Sequence, residues 1–231
     1  MNSTIADRLH EVQARMAMIA RRCGRRPEEI QLVAVGKTHR AEAIEAAMAA
    51  GATIIGENYV QEARDKFAAL SHRPAAWHFI GHLQTNKAKY AVRLFELIHT
   101  VDSLKLAEEL NRQAGKAGKI QRVLIQVNTG GEKSKSGVTA EQAPALAREL
   151  SGLEHLKVEG LMAIPPYFND PEASRPHFAA LRELRDRIAA LAIPGIEMQA
   201  LSMGMTGDFE AAIEEGATLV RIGSAIFGAR A

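Results

Sequence analysis

Lys37 sits one glycine beyond the apolar run Leu32-Val33-Ala34-Val35, where a strand would end. A lysine amine has an ordinary pKa of about 10.4, and removal from water lowers it. A neutral amine attacks an aldehyde to form a Schiff base. The alternative is a surface lysine opening the next loop. Far along the chain, SMGMTGDFEAAIEEG (202–216) and RIGSAIFG (221–228) each set a turn of small residues before a helix-like stretch. Exposed backbone N–H groups in such turns bind anions, and glycine lets the ligand approach. Ser202, Gly204, Thr206, Gly223 and Ser224 fit such a cradle. Arg221 lies two residues before Gly223, so strand alternation puts both on one face. A buried arginine needs a partner; an ion pair with Glu57 or another carboxylate is the competing role. His78 and His82 flank Phe79-Ile80-Gly81 in a strand-like run, with no carboxylate motif to make them a zinc pair. No metal is expected, and His82 reads as a ligand contact or a hydrogen-bonded scaffold residue.

Such groups act together only if the fold gathers them. Eight strand-like runs recur: QLVAVG (31–36), ATIIG (52–56), WHFIG (77–81), LIHTV (97–101), RVLIQV (122–127), VEGLMA (158–163), MQALSM (198–203) and TLVRIG (218–223). Helix-like stretches separate them, among them 41–51, 103–118, 140–152 and 177–193. Strands alternating with helices imply parallel pairing, and continuously apolar strands imply a sheet covered on both faces. Eight of them predict an α/β fold, a single (β/α)8 TIM barrel. An open doubly wound sheet would need a glycine fingerprint after its first strand, and VGKTHR lacks it. Ile5, Leu9, Val12, Met16 and Ile19 predict an extra amphipathic helix over 4–20, before the barrel. The whole chain, 1–231, reads as one domain, with 1–26 packed on the barrel.

In barrels the active face is the C-terminal ends of the strands, with phosphate held after the last two. Those ends supply Lys37, Glu57, Asn58, His82, Asp102, Asn128, Met162, Ser202, Arg221 and Gly223. The basic loop GGEKSKSG (130–137), with Lys133 and Lys135, reads as solvated or as a lure for anions. IPPYFNDPEASRP (164–176) is long and proline-rich, a lid candidate.

Composition narrows the rest. Lys and Arg total 29 against 27 Asp and Glu, too even for a dedicated nucleic-acid binder. Arg21, Arg22, Arg25 and Arg26 crowd the end of the first helix, where cations suit the helix dipole. No apolar run approaches the roughly 20 residues that span a bilayer. Cys23 is the only cysteine, so no internal disulfide forms. A cytoplasmic protein is expected, without a signal peptide, membrane anchor or nucleic-acid partner.

A lysine able to form a Schiff base, a phosphate cradle and an arginine describe a site for pyridoxal 5′-phosphate (PLP). LVAVGKTH, GENYVQEARDK, WHFIGHLQTNKAKY, VNTGGEKSKSGV, GLMAIPP and LSMGMTGDFEAAIEEGATLVRIGSAIFG together resemble the pyridoxal phosphate homeostasis protein family, first described as proline synthase co-transcribed proteins. The resemblance runs from about Leu32 to the C-terminus. It implies a barrel like that of alanine racemase. It also implies PLP held covalently as a Schiff base on Lys37, with Asn58 lining the cofactor. Ser202, Met203, Gly204, Met205, Thr206, Gly223 and Ser224 would contact the phosphate, and Arg221 would lie beside the pyridine nitrogen. The family usually has Ser where this chain has Gly36, a departure expected to loosen the strand end.

Three functions follow. The first is a homeostasis protein, a monomer that holds PLP and releases it to apo forms of PLP enzymes, with no catalytic residues of its own. The second is a PLP-dependent amino-acid racemase-like enzyme. The third is a Schiff-base aldolase that uses Lys37 without PLP; the residues alone leave it open, and the resemblance argues against it. A racemase needs a second acid–base group opposite Lys37. Tyr59, Tyr90 and Tyr167 are the only tyrosines. Tyr90 falls in a helix-like stretch away from the mouth, Tyr59 could turn either way, and Tyr167 could fold over the site from its loop.

Overall fold

The computed structural model describes residues 3–132 and 136–228; Lys133 and Lys135 lie outside the described residues. Eight parallel strands pair in sequence order and close into a barrel. They are β1 (Gln31–Val35), β2 (Ile54–Glu57), β3 (Ala76–Phe79), β4 (Leu97–Val101), β5 (Gln121–Val127), β6 (Leu156–Ala163), β7 (Ile196–Ser202) and β8 (Leu219–Ile222). Each strand expected from the sequence is present. Their ends differ by a few residues: β1 and β3 stop before their glycines, while β6 and β7 begin earlier. The seam joins β1 to β8, with Val33 level with Arg221.

Both faces of the barrel wall are dry. Inside, Val33, Ile54, Leu97, Leu124, Met162 and Leu219 form one buried cluster. Outside, the alternate strand residues pack on the helices α2 (Ala41–Ala49), α3 (Val60–Ala69), α4 (Ala88–Leu94), α5 (Leu104–Lys116), α6 (Ala143–Leu150), α7 (Arg175–Ala190), α8 (Phe209–Glu214) and α9 (Ser224–Phe227). α5 shows why these segments are helical. Its buried Leu106, Ala107, Leu110 and Ala114 fall on one stripe, and Ser103 caps its start.

The predicted first helix is α1 (Ile5–Arg22). Thr4 and Asp7 form a capping box, each satisfying the other's backbone amide. Leu9, Val12, Met16 and Ile19 are buried, and the helix packs against α2, α8 and α9. Arg8 Nε donates to the Ile226 carbonyl at 2.6 Å and an Arg25 guanidinium nitrogen to that of Ile213 at 2.8 Å. Arg22 pairs with Glu214, and Arg26 with Glu29. Arg22, Arg25 and Arg26 of the arginine cluster thus face carboxylates and carbonyls of the protein itself. No described helix is long and apolar enough to cross a membrane.

Candidate functional site

A cavity of about 560 Å³ opens at the C-terminal ends of the strands. Lys37 and Asn58 reach it from the loops after β1 and β2. Met205 and Thr206 reach it from the loop after β7, and Arg221, Gly223 and Ser224 from β8 and its end. Apolar walls come from Val35, Ile80, Ile164 and Phe168. Lys37 is half-buried. Asn58 Oδ1 is buried with no hydrogen-bond partner among the described residues.

The rest of the expected cradle lies elsewhere. Ser202, Met203 and Gly204 are buried and do not line the cavity. Met203 sits in the core between barrel and helices. Ser202 points into the barrel, where its hydroxyl meets Arg221 and His99. Gly204 has φ +89°, and a Cβ there would lie 2.5 Å from that of Ala212. It lets the chain turn tightly above α8, so it shapes the turn from below.

The turn above it, residues 205–208, is internally braced. The Met205 amide donates to Asp208 Oδ1 at 2.7 Å, and the Asp208 amide to the Met205 carbonyl at 3.1 Å. Among the described residues the amides of Thr206 and Gly207 donate to nothing. Thr206 Oγ1 accepts from the Ala225 amide at 3.5 Å, which ties this turn to the one at Gly223 and Ser224. Two amide-bearing turns therefore meet at one wall.

Arg221 forms the floor. It is buried, and its guanidinium donates to Ser202 Oγ at 2.7 Å and the Ala163 carbonyl at 2.9 Å. No carboxylate pairs with it among the described residues, so the competing role, an ion pair with Glu57 or another carboxylate, is not seen there. Burial pushes its pKa down to about 10, with Asp208 pulling the other way, so the cation persists at neutral pH. Beneath it, Ser202 Oγ lies 2.8 Å from His99 Nδ1, and His99 Nε2 lies 3.0 Å from His78 Nδ1. Arginine can only donate. The arrangement consistent with both contacts has the Ser202 hydroxyl donate to His99 Nδ1 and His99 Nε2–H donate to His78 Nδ1. Burial drives His78 down to about 3 and His99 well below its ordinary range, so both are neutral.

Glu57 is fully buried but turns outward to Lys66, at 2.8 Å. Burial pushes its carboxyl up to about 7, against the pull of Lys66. Met162 belongs to the barrel interior. Exposed His82 lies 3.2 Å from Ser136 Oγ and 4.0 Å from Asp102, and Asn128 donates to the Glu132 carbonyl. None of these lines the cavity. Among the described residues no group of three His, Cys, Asp or Glu could hold a metal. Tyr59 and Tyr90 are exposed and away from the cavity; Tyr167 lines its rim, 86% exposed. Sequence reasoning missed Lys66, His99 and Asp208. A lysine on an amphipathic helix and a histidine inside an apolar strand carry no local sign of their partners.

A family profile described as "Alanine racemase, N-terminal domain" matches residues 8–231. A curated relative from Vibrio alginolyticus, named "Pyridoxal phosphate homeostasis protein", is 45% identical over 99% of this chain and 98% of its own. The solved structure of PipY from Synechococcus elongatus with PLP bound superposes with a TM-score of 0.87 at 37% identity, covering 97% of this chain and 100% of that one. The same protein without PLP gives 0.87 at 38%, with the same coverage. With near-complete coverage on both sides, the chain belongs to the family of pyridoxal phosphate homeostasis proteins, built on the alanine racemase N-terminal domain.

Proposed function

We propose that the protein holds PLP in this cavity, covalently through Lys37, and passes it on instead of turning over a substrate. The observation that carries this is one cavity bounded by an amine, two amide-bearing turns and a buried cation with no carboxylate partner among the described residues. PLP, when bound, supplies an aldehyde that condenses with an amine and a ring that withdraws electrons. The residues fit such a group. The turn at 205–208 and the one at 223–224 offer N–H donors to a phosphate. Buried Asn58 Oδ1, without a partner among the described residues, has acceptor capacity left for a ligand in the cavity. Arg221 could offer a ring nitrogen only an N–H donor, and an atom that accepts it would carry no proton.

The same residues argue against turnover. Racemisation needs acid–base groups on both faces of a carbon centre. Lys37 can serve one, and Tyr167 is the only tyrosine at the cavity, largely in solvent. Open to water, the site forfeits part of the roughly 7–11 kcal/mol that orientation can supply. PipY is known with and without PLP, which fits a reversible holder. We further infer a cytoplasmic monomer whose recipients are apo forms of PLP enzymes, since carrier and recipient must share a compartment.

The test is incubation with PLP, borohydride reduction and peptide mass spectrometry. A yellow species and a pyridoxyl group on Lys37 are expected, both lost in Lys37→Ala. A pyridoxyl group on another lysine, with Lys37→Ala binding as tightly, would overturn the assignment.

A further inference from the structure

Lys37 sits between two backbone anchors. The carbonyl of Gly36, just before it, accepts from Lys66 Nζ at 2.7 Å. The amide of Thr38, just after it, donates to Glu62 Oε1 at 2.6 Å. Lys66 and Glu62 are one turn apart on α3 and pair at 2.6 Å. Lys66 also pairs with Glu57 Oε1 at 2.8 Å. The three protons of this ammonium therefore meet three oxygens, and its side chain is only 7% exposed.

Two features show that the cluster sets backbone shape. Thr38 has φ +66°. A β-branched residue in the left-handed region costs about 1–2 kcal/mol and persists only where its surroundings over-determine it. Gly36 is closely packed: a Cβ would lie 2.3 Å from Ile44 Cδ1, so that side chain would have to shift, and 3.0 Å from Glu57 Oε1. The strand end is thus gripped, where the glycine alone had suggested loosening. Apolar packing of the same volume would often stabilise the fold as well as a buried ion pair does, but it could not hold a backbone carbonyl and a backbone amide.

We propose that Lys66, with Glu57 and Glu62, is a positioning device that fixes the backbone on both sides of Lys37 and so presents its amine to the cavity. This rests on the assignment of Lys37 as the attachment point for PLP. Lys66 itself takes no part in the chemistry. With every proton committed to an oxygen, it has no lone pair to offer an aldehyde, although it lies at the same strand end. Its role is to hold a carbonyl that only a donor can hold.

The test compares two reagents on the apo protein, each trapped by reduction and read at Lys37 by peptide mass spectrometry. PLP must enter the cavity in a defined pose; formaldehyde reports the amine without that demand. Lys66→Met leaves Glu57 buried and unpaired, so it can fail to fold. Lys66→Met/Glu57→Leu removes both buried charges, and Glu62→Ala removes the anchor on Thr38 from a half-exposed position. In variants with wild-type circular dichroism, Lys37 labelling by PLP should slow by about tenfold or more, as loss of orientation implies, while labelling by formaldehyde changes by less than about twofold. PLP labelling at the wild-type rate in both folded variants would overturn the positioning role. An equal slowing with both reagents would overturn it too, by showing a change in the amine itself. Failure of PLP to label Lys37 in the wild type would instead remove the cofactor assignment, and this role with it.

Discussion

Arg221 is the residue whose environment departs furthest from habit. Its guanidinium is buried against a hydroxyl and a carbonyl, with no carboxylate among the described residues to neutralise it. Desolvating an ion without a partner costs several kcal/mol, so a charge kept here suits a ligand that arrives later. Arg221→Met should therefore leave the apo protein folded, with Tm lowered by no more than a few degrees, because the cost of an uncompensated ion is relieved as Ser202 loses a partner. PLP affinity should fall by about tenfold or more, the worth of a charge-assisted hydrogen bond. Differential scanning calorimetry and an absorbance titration check the two halves. A large loss of apo stability with unchanged affinity would make Arg221 a structural residue only.

At the scale of elements, the turn between β7 and α8 is where shape and ligand contact are separated. Gly204 supplies the left-handed bend and the residues after it, Met205 to Asp208, line the cavity, so Gly204→Ala must either push α8 away or flatten the turn. The expected cost is about 1–3 kcal/mol of stability, read by urea denaturation, with weaker PLP binding by absorbance. The loop over 164–176 contributes Ile164, Pro166, Tyr167 and Phe168 to the cavity rim, yet the Tyr167 ring is in solvent. Tyr167→Phe should leave PLP affinity unchanged. Steady turnover of an amino acid that vanishes in both Tyr167→Phe and Lys37→Ala would revive the racemase alternative. The strands themselves were legible, because a barrel wall covered on both faces needs continuous apolar runs, as in LVAV or VLIQV. The placement of Lys37, Arg221 and Gly223 followed from where those runs end. From the sequence, Ser202 reads as a phosphate contact because its turn is small and polar. Which way it points is decided by His99, 103 positions away. Lys66 was illegible for the same reason: its partner carbonyl on Gly36 is 30 positions away.

For the whole molecule, the buried titratable groups pull stability in opposite directions with pH. His78, with an ordinary value of 6.5 and held near 3, and His99 are neutral when folded and protonated when unfolded, so they favour unfolding as pH falls below about 6.5. Glu57 is raised from 4.5 to about 7, so its contribution is complete below about 4.5 and is lost as pH rises to about 7. Between those limits two histidines oppose one carboxylate. The net expectation is a loss of about 1.4 kcal/mol per pH unit from pH 6 to 5, one proton's worth, seen as a falling Tm. A Tm that rises over that interval would mean that one of the histidines takes up its proton without unfolding the barrel.

The seam between β1 and β8 also sets a clock. Every other strand pairs with its neighbour in sequence, but here Val33 must find Arg221. Lys37 belongs to the first arm of the seam; Arg221, Gly223 and Ser224 belong to the last. A ribosome adding about 5–20 residues per second needs roughly 10–40 s to pass from one arm to the other. Throughout that interval the nascent chain carries its lysine as an ordinary solvated amine, with no floor beneath it and no second turn beside it. Binding within the cavity therefore waits for ring closure. An amine that meets an aldehyde before the ring has closed meets it as any other surface lysine would.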